Sequence, residues 1–227
     1  MLFSRKNYCT LIVLSAISKT GDANVFWDRV AWVYDIFAKI INRKANKALC
    51  TALEKLISPT DRVLECACGT ELLTAVTAPR CQSLIATDFS AKMLKRAKKK
   101  YGKYGNVRFE QANILHLKYP SGCFDAVIAA NVIHLLDEPY TALHELERVC
   151  RVGGKIIIPT YMNRTDKGRT NGISGTIGKA GADFKREFTL ATYKQFFADA
   201  GYKNIECTLC EGKIPCAVAV LKNGEKI

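Results

Sequence analysis

The stretch Val63-Leu64-Glu65-Cys66-Ala67-Cys68-Gly69-Thr70-Glu71-Leu72-Leu73-Thr74 runs from an apolar strand into a turn of small residues. Small residues at a tight strand-to-helix turn let the backbone approach a ligand closely. A second apolar run ends in Thr87-Asp88-Phe89-Ser90, which places Asp88 19 positions after Gly69. That is close to the roughly 20-residue spacing at which an acid meets ribose hydroxyls. The simpler alternative is that Asp88 only caps the helix that follows. A second candidate chemistry is metal or thiol chemistry at Cys207 and Cys210, which have a C-x-x-C spacing. No second pair with flanking histidines completes a zinc pattern, so no metal site is expected. The ten cysteines lie mostly inside apolar segments, where a reduced thiol behaves as a small hydrophobe. This reads as a protein of a reducing cytoplasm.

The elements that must hold the turn and the acid follow from periodicity. Apolar residues at Phe26, Val30, Val33, Phe37, Ile40 and Ile41 repeat every 3.6 residues and predict an amphipathic helix within 25–57. Strands are expected at Arg62–Cys66, Ser83–Thr87, Asn106–Gln111, Phe124–Ala129 and Lys155–Tyr161, and near 203–209 and 215–221. Between them, helices are expected over Ala91 to about Lys103 with Ser90 as cap, over Pro139–Arg151 ended by Gly153-Gly154, and over Thr189–Ala200. A Gly-rich polar segment, Asn163–Asp183, reads as a loop. Alternating helices and fully apolar strands define an α/β fold. The expectation is a Rossmann-like, doubly wound, mostly parallel seven-stranded sheet with helices on both faces.

With 227 residues, 48% apolar and 24% charged, the chain can bury one sizeable core, which excludes disordered and disulfide-stapled classes. No run approaches the roughly 18–20 apolar residues of a membrane span. Arg5 and Lys6 followed by the apolar stretch from Cys9 to Ile17 mimic a short leader. Without a convincing cleavage site, residues 1–24 are expected to be a poorly ordered extension before a domain over 25–227. The net charge of +13 favours an anionic partner without choosing among nucleic acid, membrane surface and acidic substrate.

Taken together, these stretches resemble the class I S-adenosylmethionine-dependent methyltransferases over about residues 25–221. Leu64–Thr70 is similar to the family's first motif, and Ala86–Ser90 with Met93-Leu94 to its second. Gln111–Ile114 resembles the adenine-contacting stretch. Phe124–Val127 through Asn131–His134 resembles the fourth strand, and Leu146–Val149 with Gly153-Gly154-Lys155 the approach to the fifth. The small-molecule branch, with its quinone and phospholipid methyltransferases, carries a Tyr-Asp pair like Tyr34-Asp35 in its entry helix.

The resemblance implies S-adenosyl-L-methionine as cofactor and a role for each matching residue. Asp88 would accept from both ribose hydroxyls, two carboxylate oxygens suiting two adjacent donors. Phe89 and Ile114 would sandwich the adenine, and Asn113 would meet its amino group. Glu65 and the backbone from Ala67 to Gly69 would line the methionine half, with Asn131 offering a backbone carbonyl to its amino group. Phe89 could equally be core packing and Asn113 a turn residue. His134, just past the fourth strand, is the best-placed titratable side chain, against the alternative of a packed histidine. Tyr34 and Tyr161 are substrate-pocket candidates. One departure stands out. Glu71 occupies the family's third glycine position, where a long charged side chain either swings outward or fills part of the pocket.

The helix within 25–57 would act as a lid whose Phe26, Trp27, Trp32 and Phe37 suit an apolar pocket or a membrane surface. Arg164, Lys167, Arg169 and Lys179 of the loop could meet an anionic group. The basic run Lys92, Lys95, Arg96, Lys98, Lys99, Lys100 and Lys103 reads first as a solvated helix face, with RNA or anionic lipid as the minority case. The fourth strand lacks the Pro-Pro-aromatic signature of base methylation, so nucleic acid is disfavoured. Three readings follow: methyl transfer to a small-molecule acceptor, a binding protein that has lost the cofactor through Glu71, and an RNA or protein methyltransferase.

Overall fold

The structure is a computed structural model, and it describes residues 42–69, 72–162 and 185–226. The extension before residue 25, the first half of the 25–57 helix with Tyr34, residue Glu71 and the 163–183 loop lie outside the described residues. The elements run α1 (Arg43–Leu56), β1 (Arg62–Cys66), α2 (Thr74–Thr77), β2 (Ser83–Asp88), α3 (Ala91–Tyr101), β3 (Val107–Gln111) and β4 (Phe124–Ala129). They continue with α4 (Pro139–Val149), β5 (Cys150–Tyr161), α5 (Leu190–Asp199), β6 (Glu206–Cys210) and β7 (Cys216–Lys222).

The seven strands form one sheet in the order β3-β2-β1-β4-β5-β7-β6. Strands β1 to β5 are parallel, and β7 inserts antiparallel between β5 and β6. Because successive side chains on a strand point to opposite faces, the apolar central strands feed two cores. Leu64, Val127, Ala129, Ile156 and Ile158 pack with Leu143 and Leu146 of α4 and Tyr193, Phe196 and Phe197 of α5. Val63, Ala126, Ile128 and Ile157 pack on the other face with Leu49 and Leu53 of α1 and Leu94 of α3. A buried leucine or isoleucine contributes roughly 1.5–3 kcal/mol, so both faces need helical cover. This is the expected doubly wound architecture.

Two helices form where their caps predict. The Ser90 hydroxyl accepts from Met93 N at 3.1 Å to open α3. Thr189 and Thr192 make a reciprocal capping box at α5.

Two boundaries differ from the sequence pattern. The helix expected to reach Arg151 stops at Val149, and β5 begins at once and passes through Gly153-Gly154. A partner more than seventy residues downstream causes this. Asn223 donates its side-chain amide to the Glu147 and Cys150 carbonyls at 2.9 and 2.7 Å. Its backbone exchanges bonds with Gly153 N and Gly154 O, while Gly153 takes φ +72. A Cβ at Gly154 would lie 2.7 Å from Cys150 Sγ and 2.8 Å from both Arg151 O and Asp125 O, so only glycine fits. Between β1 and β2, the described residues form a one-turn helix, α2, and a short 3₁₀ turn, Ala78–Arg80, that contains Pro79.

Candidate functional site

Strand order reverses between β1 and β4, and in an open α/β sheet the ligand crevice lies beyond the carboxyl ends of such a pair. Those ends carry the backbone's most unusual conformations. Ala67 and Asn131, at φ 53 and 52, are the non-glycine residues in the left-handed region among those described, and Gly69 joins them at φ 55. A left-handed alanine costs about 1–2 kcal/mol, so something must hold it.

Bonds from the end of β2 do so. Cys68 N donates to Thr87 O at 2.9 Å, the Thr87 hydroxyl donates to Glu65 O at 3.1 Å, and Gly69 N donates to Asp88 Oδ2 at 2.8 Å. The other carboxylate oxygen of Asp88 accepts from Ser90 N at 2.8 Å. Asp88 therefore ties the turn after β1 to the turn after β2. It does not cap α3; Ser90 does that. Among the described atoms, the nearest to a Cβ built on Gly69 is Ala67 O at 4.0 Å.

Other candidates lie in β1 and just after β2 and β3. The Glu65 side chain is buried and accepts from the Thr74 hydroxyl at 2.7 Å, which fixes it beneath the turn. Phe89 is 49% exposed beside Asp88, and its carbonyl accepts from Gln111 Nε2 at 2.8 Å. Ile114 is buried at the end of the segment after β3. Asn113 makes an Asx turn there, its side-chain oxygen accepting from Leu115 N at 3.0 Å.

Asn131 links two strand ends. Its N–H donates to Pro159 O at 2.7 Å and its side-chain oxygen accepts from Tyr161 N at 3.0 Å. Tyr161 in turn donates its hydroxyl to Asn46 Oδ1 of α1 at 2.8 Å. The described part of the expected lid helix is thus pinned to the end of β5, and Asn42 adds two bonds to Ile214.

His134 stands apart from this network. It sits in a 3₁₀ turn, buried, and burial pushes its imidazole down to about 4. It is neutral at neutral pH and a weaker base than a solvated histidine. Burial likewise pushes the Cys66 thiol up to about 12, so it stays protonated beside the turn.

Sequence reasoning passed over Thr74, Thr87 and Asn46, which orient Glu65, the turn and Tyr161. Only Thr74 leaves a local trace, a hydroxyl nine residues after Glu65 at the start of the next helix.

Residues 64–158 match the methyltransferase domain family. Over this stretch the chain is similar to that family. The match spans β1 through most of β5, so it contains Glu65, the turn, Asp88 and Asn131. The demethylmenaquinone methyltransferase of Clavibacter sepedonicus is 28% identical over 142 residues, covering 62% of this chain and 58% of that protein. The phosphatidylethanolamine N-methyltransferase of Cereibacter sphaeroides is 34% identical over 110 residues, covering 47% and 53%. The chain spans little more than half the length of these curated relatives. Among solved structures, the N-methyltransferase NodS from Bradyrhizobium japonicum WM9, in complex with S-adenosyl-L-homocysteine, has a TM-score of 0.61 at 19% identity. That likeness covers 79% of this chain and 87% of NodS, and it establishes a shared fold. The described sheet thus has a Rossmann-like architecture.

Proposed function

We propose that the domain binds S-adenosyl-L-methionine and transfers its methyl group to a small, lipid-type acceptor. One observation carries the reading: a left-handed turn at the strand-order reversal, held by a carboxylate from the neighbouring strand end. The residues fit the cofactor chemically. An ionised carboxylate has about four lone-pair directions, which suits Asp88 to adjacent ribose hydroxyls. Phe89 and Ile114 offer apolar surfaces for a purine, and Asn113 a polar group at its edge. Glu65, the Ala67–Gly69 backbone and the Asn131 carbonyl supply acceptors and close backbone approach for the amino-acid half.

When bound, the sulfonium supplies an already activated methyl group. The chain's work is therefore alignment for in-line displacement and exclusion of water. Asn131 and Tyr161 set the ends of β4 and β5 that would floor the acceptor side. A buried histidine held neutral does not suit general-base work near neutral pH, so the acceptor itself must arrive nucleophilic or lose its proton elsewhere. The lipid-type acceptor draws on the substrates named for the two relatives, a demethylmenaquinone and a phosphatidylethanolamine.

The test is calorimetric titration of S-adenosyl-L-methionine and S-adenosyl-L-homocysteine into the native protein and Glu71→Gly. Native binding in the micromolar range, about −8 kcal/mol, supports the reading, and labelled-methyl transfer to a demethylated quinone or to phosphatidylethanolamine then identifies the acceptor. Binding by Glu71→Gly alone would mean that Glu71 closes the pocket and the native chain does not transfer methyl groups. Failure of both proteins to bind overturns the proposal.

A further inference from the structure

Glu65 is out of keeping with its strand. Strand β1 lies between β2 and β4, parallel to both, and Glu65 is in register with Ala86 on one side and Ile128 on the other. Both neighbours are fully buried, and Glu65 itself is 1% exposed. A carboxylate there costs desolvation that an apolar residue would not. Exchanging a buried polar pair for an apolar pair of the same shape is often neutral for a fold or better. An acid that breaks the pattern of a buried strand marks a place where the site, not the fold, requires it. This strand runs straight into the Ala67–Gly69 turn.

A second buried residue is devoted to the same acid. Thr74, the first residue of α2, is fully buried and donates its hydroxyl to Glu65 Oε2 at 2.7 Å. A β-branched side chain on a helix has few rotamers, so this donor is fixed. Glutamate is flexible, and a fixed donor selects one orientation for its carboxylate. A hydroxyl does so without cancelling the charge, as a lysine or arginine would. Asp88 is held by different donors, Gly69 N and Ser90 N. The two acids beside the turn are therefore fixed by separate bonds.

We infer that Thr74 is the positioning residue for the amino-acid half of the cofactor. It holds the Glu65 carboxylate as a fixed charge that attracts the ligand's ammonium group. It thereby sets the preference for an adenosine thioether with an amino-acid tail over one without it. The inference rests on the S-adenosyl-L-methionine reading above and adds a division between the acids, Asp88 serving the nucleoside and Glu65 the tail. Because Glu65 is buried, the attraction acts through the turn, in an interior where charges are weakly screened.

The experiment is calorimetric titration of two ligands, S-adenosyl-L-homocysteine and methylthioadenosine, which is the same kind of adenosine thioether without the amino-acid tail. Thr74→Val removes the hydroxyl and keeps the shape. It should weaken S-adenosyl-L-homocysteine by about 10-fold while methylthioadenosine stays within about threefold of native. Thr74→Ser restores the donor and should bind both ligands within about threefold of native. Glu65→Gln should show the same selective loss, and Glu65→Gln/Thr74→Val should lose nothing more, because the two residues act as one unit. A residue that merely supports the turn would weaken both ligands alike. The inference is overturned if Thr74→Val affects both ligands equally or neither, if serine does not rescue, or if Glu65→Gln keeps the native preference. The last arm decides the matter even where Thr74→Val does not fold. Any of these results with native S-adenosyl-L-homocysteine binding intact sinks this inference alone. A native protein that binds neither ligand sinks the functional reading, and this inference with it.

Discussion

Replacing Asp88 by asparagine separates the two jobs that its carboxylate combines. In the structure one oxygen accepts from Gly69 N and the other from Ser90 N, each at 2.8 Å. Asparagine keeps one acceptor oxygen and presents an NH₂ in place of the other, so one of these two backbone donors loses its bond. An unsatisfied, part-buried N–H costs about 1–3 kcal/mol. For a domain of this length that corresponds to a fall in Tm of roughly 2–4 °C per kcal/mol. The ligand side is separate. A charge-assisted bond to a ribose hydroxyl is worth about 1.5–3 kcal/mol, so affinity for S-adenosyl-L-homocysteine should fall by about 10- to 100-fold. Calorimetry below the melting transition, paired with differential scanning of the same samples, reads both terms. Asp88→Asn binding within about threefold of native would refute the assignment of Asp88 to the ribose. A drop in Tm with unchanged affinity would reduce Asp88 to a turn staple.

Three further outcomes follow from other parts of the structure. His134 is held neutral with its pKa lowered from 6.5 to about 4, so the unfolded chain takes up a proton first as pH falls. Its stability contribution is complete above pH 6.5 and fades between there and about 4, by up to ~3 kcal/mol; His134→Leu should flatten that part of a urea-midpoint profile, and an unchanged slope would contradict the burial. Gly154→Ala forces a Cβ against Cys150 Sγ and two carbonyls, and should cost about 1–3 kcal/mol or more; a native-like Tm would show that the start of β5 relaxes freely. Tyr161→Phe removes the bond to Asn46 and should cost about 1–2 kcal/mol, with KM for the acceptor rising more than kcat falls. Unchanged KM would place the acceptor away from the end of β5.

The strands and both cores were legible because apolar runs bounded by turns need only local information. The turn at Ala67–Gly69 and the acid that ends β2 were legible from a fixed spacing that holds a helix and a strand between them, whereas the bond that Asp88 accepts from Gly69 N was not. What stayed hidden depends on partners distant in sequence. The end of α4 is set by Asn223, and nothing near Val149 announces it. Asn131 reads locally as a residue after a strand, yet its side chain fastens Tyr161 thirty residues later. Asn46 and Asn42 look like ordinary polar positions on a helix until the sheet brings Tyr161 and Ile214 to them. His134 looked like a candidate base because sequence spacing carries no measure of depth, and depth is what weakens it.

The antiparallel insertion of β7 between β5 and β6 has a consequence for the chain as it is synthesised. Residues 150–161 form a long, strongly apolar strand, yet the neighbour on its outer side is 216–222. From the moment β5 leaves the ribosome until more than fifty further residues have emerged, one whole edge of backbone donors and acceptors has no native partner. Strand β6 cannot fill that gap, because its own place depends on β7. The interval is a window for mispairing with other chains. Folding of this domain during translation therefore hinges on the arrival of a single late strand, and chaperone dependence should be greatest in the stretch of synthesis just before it.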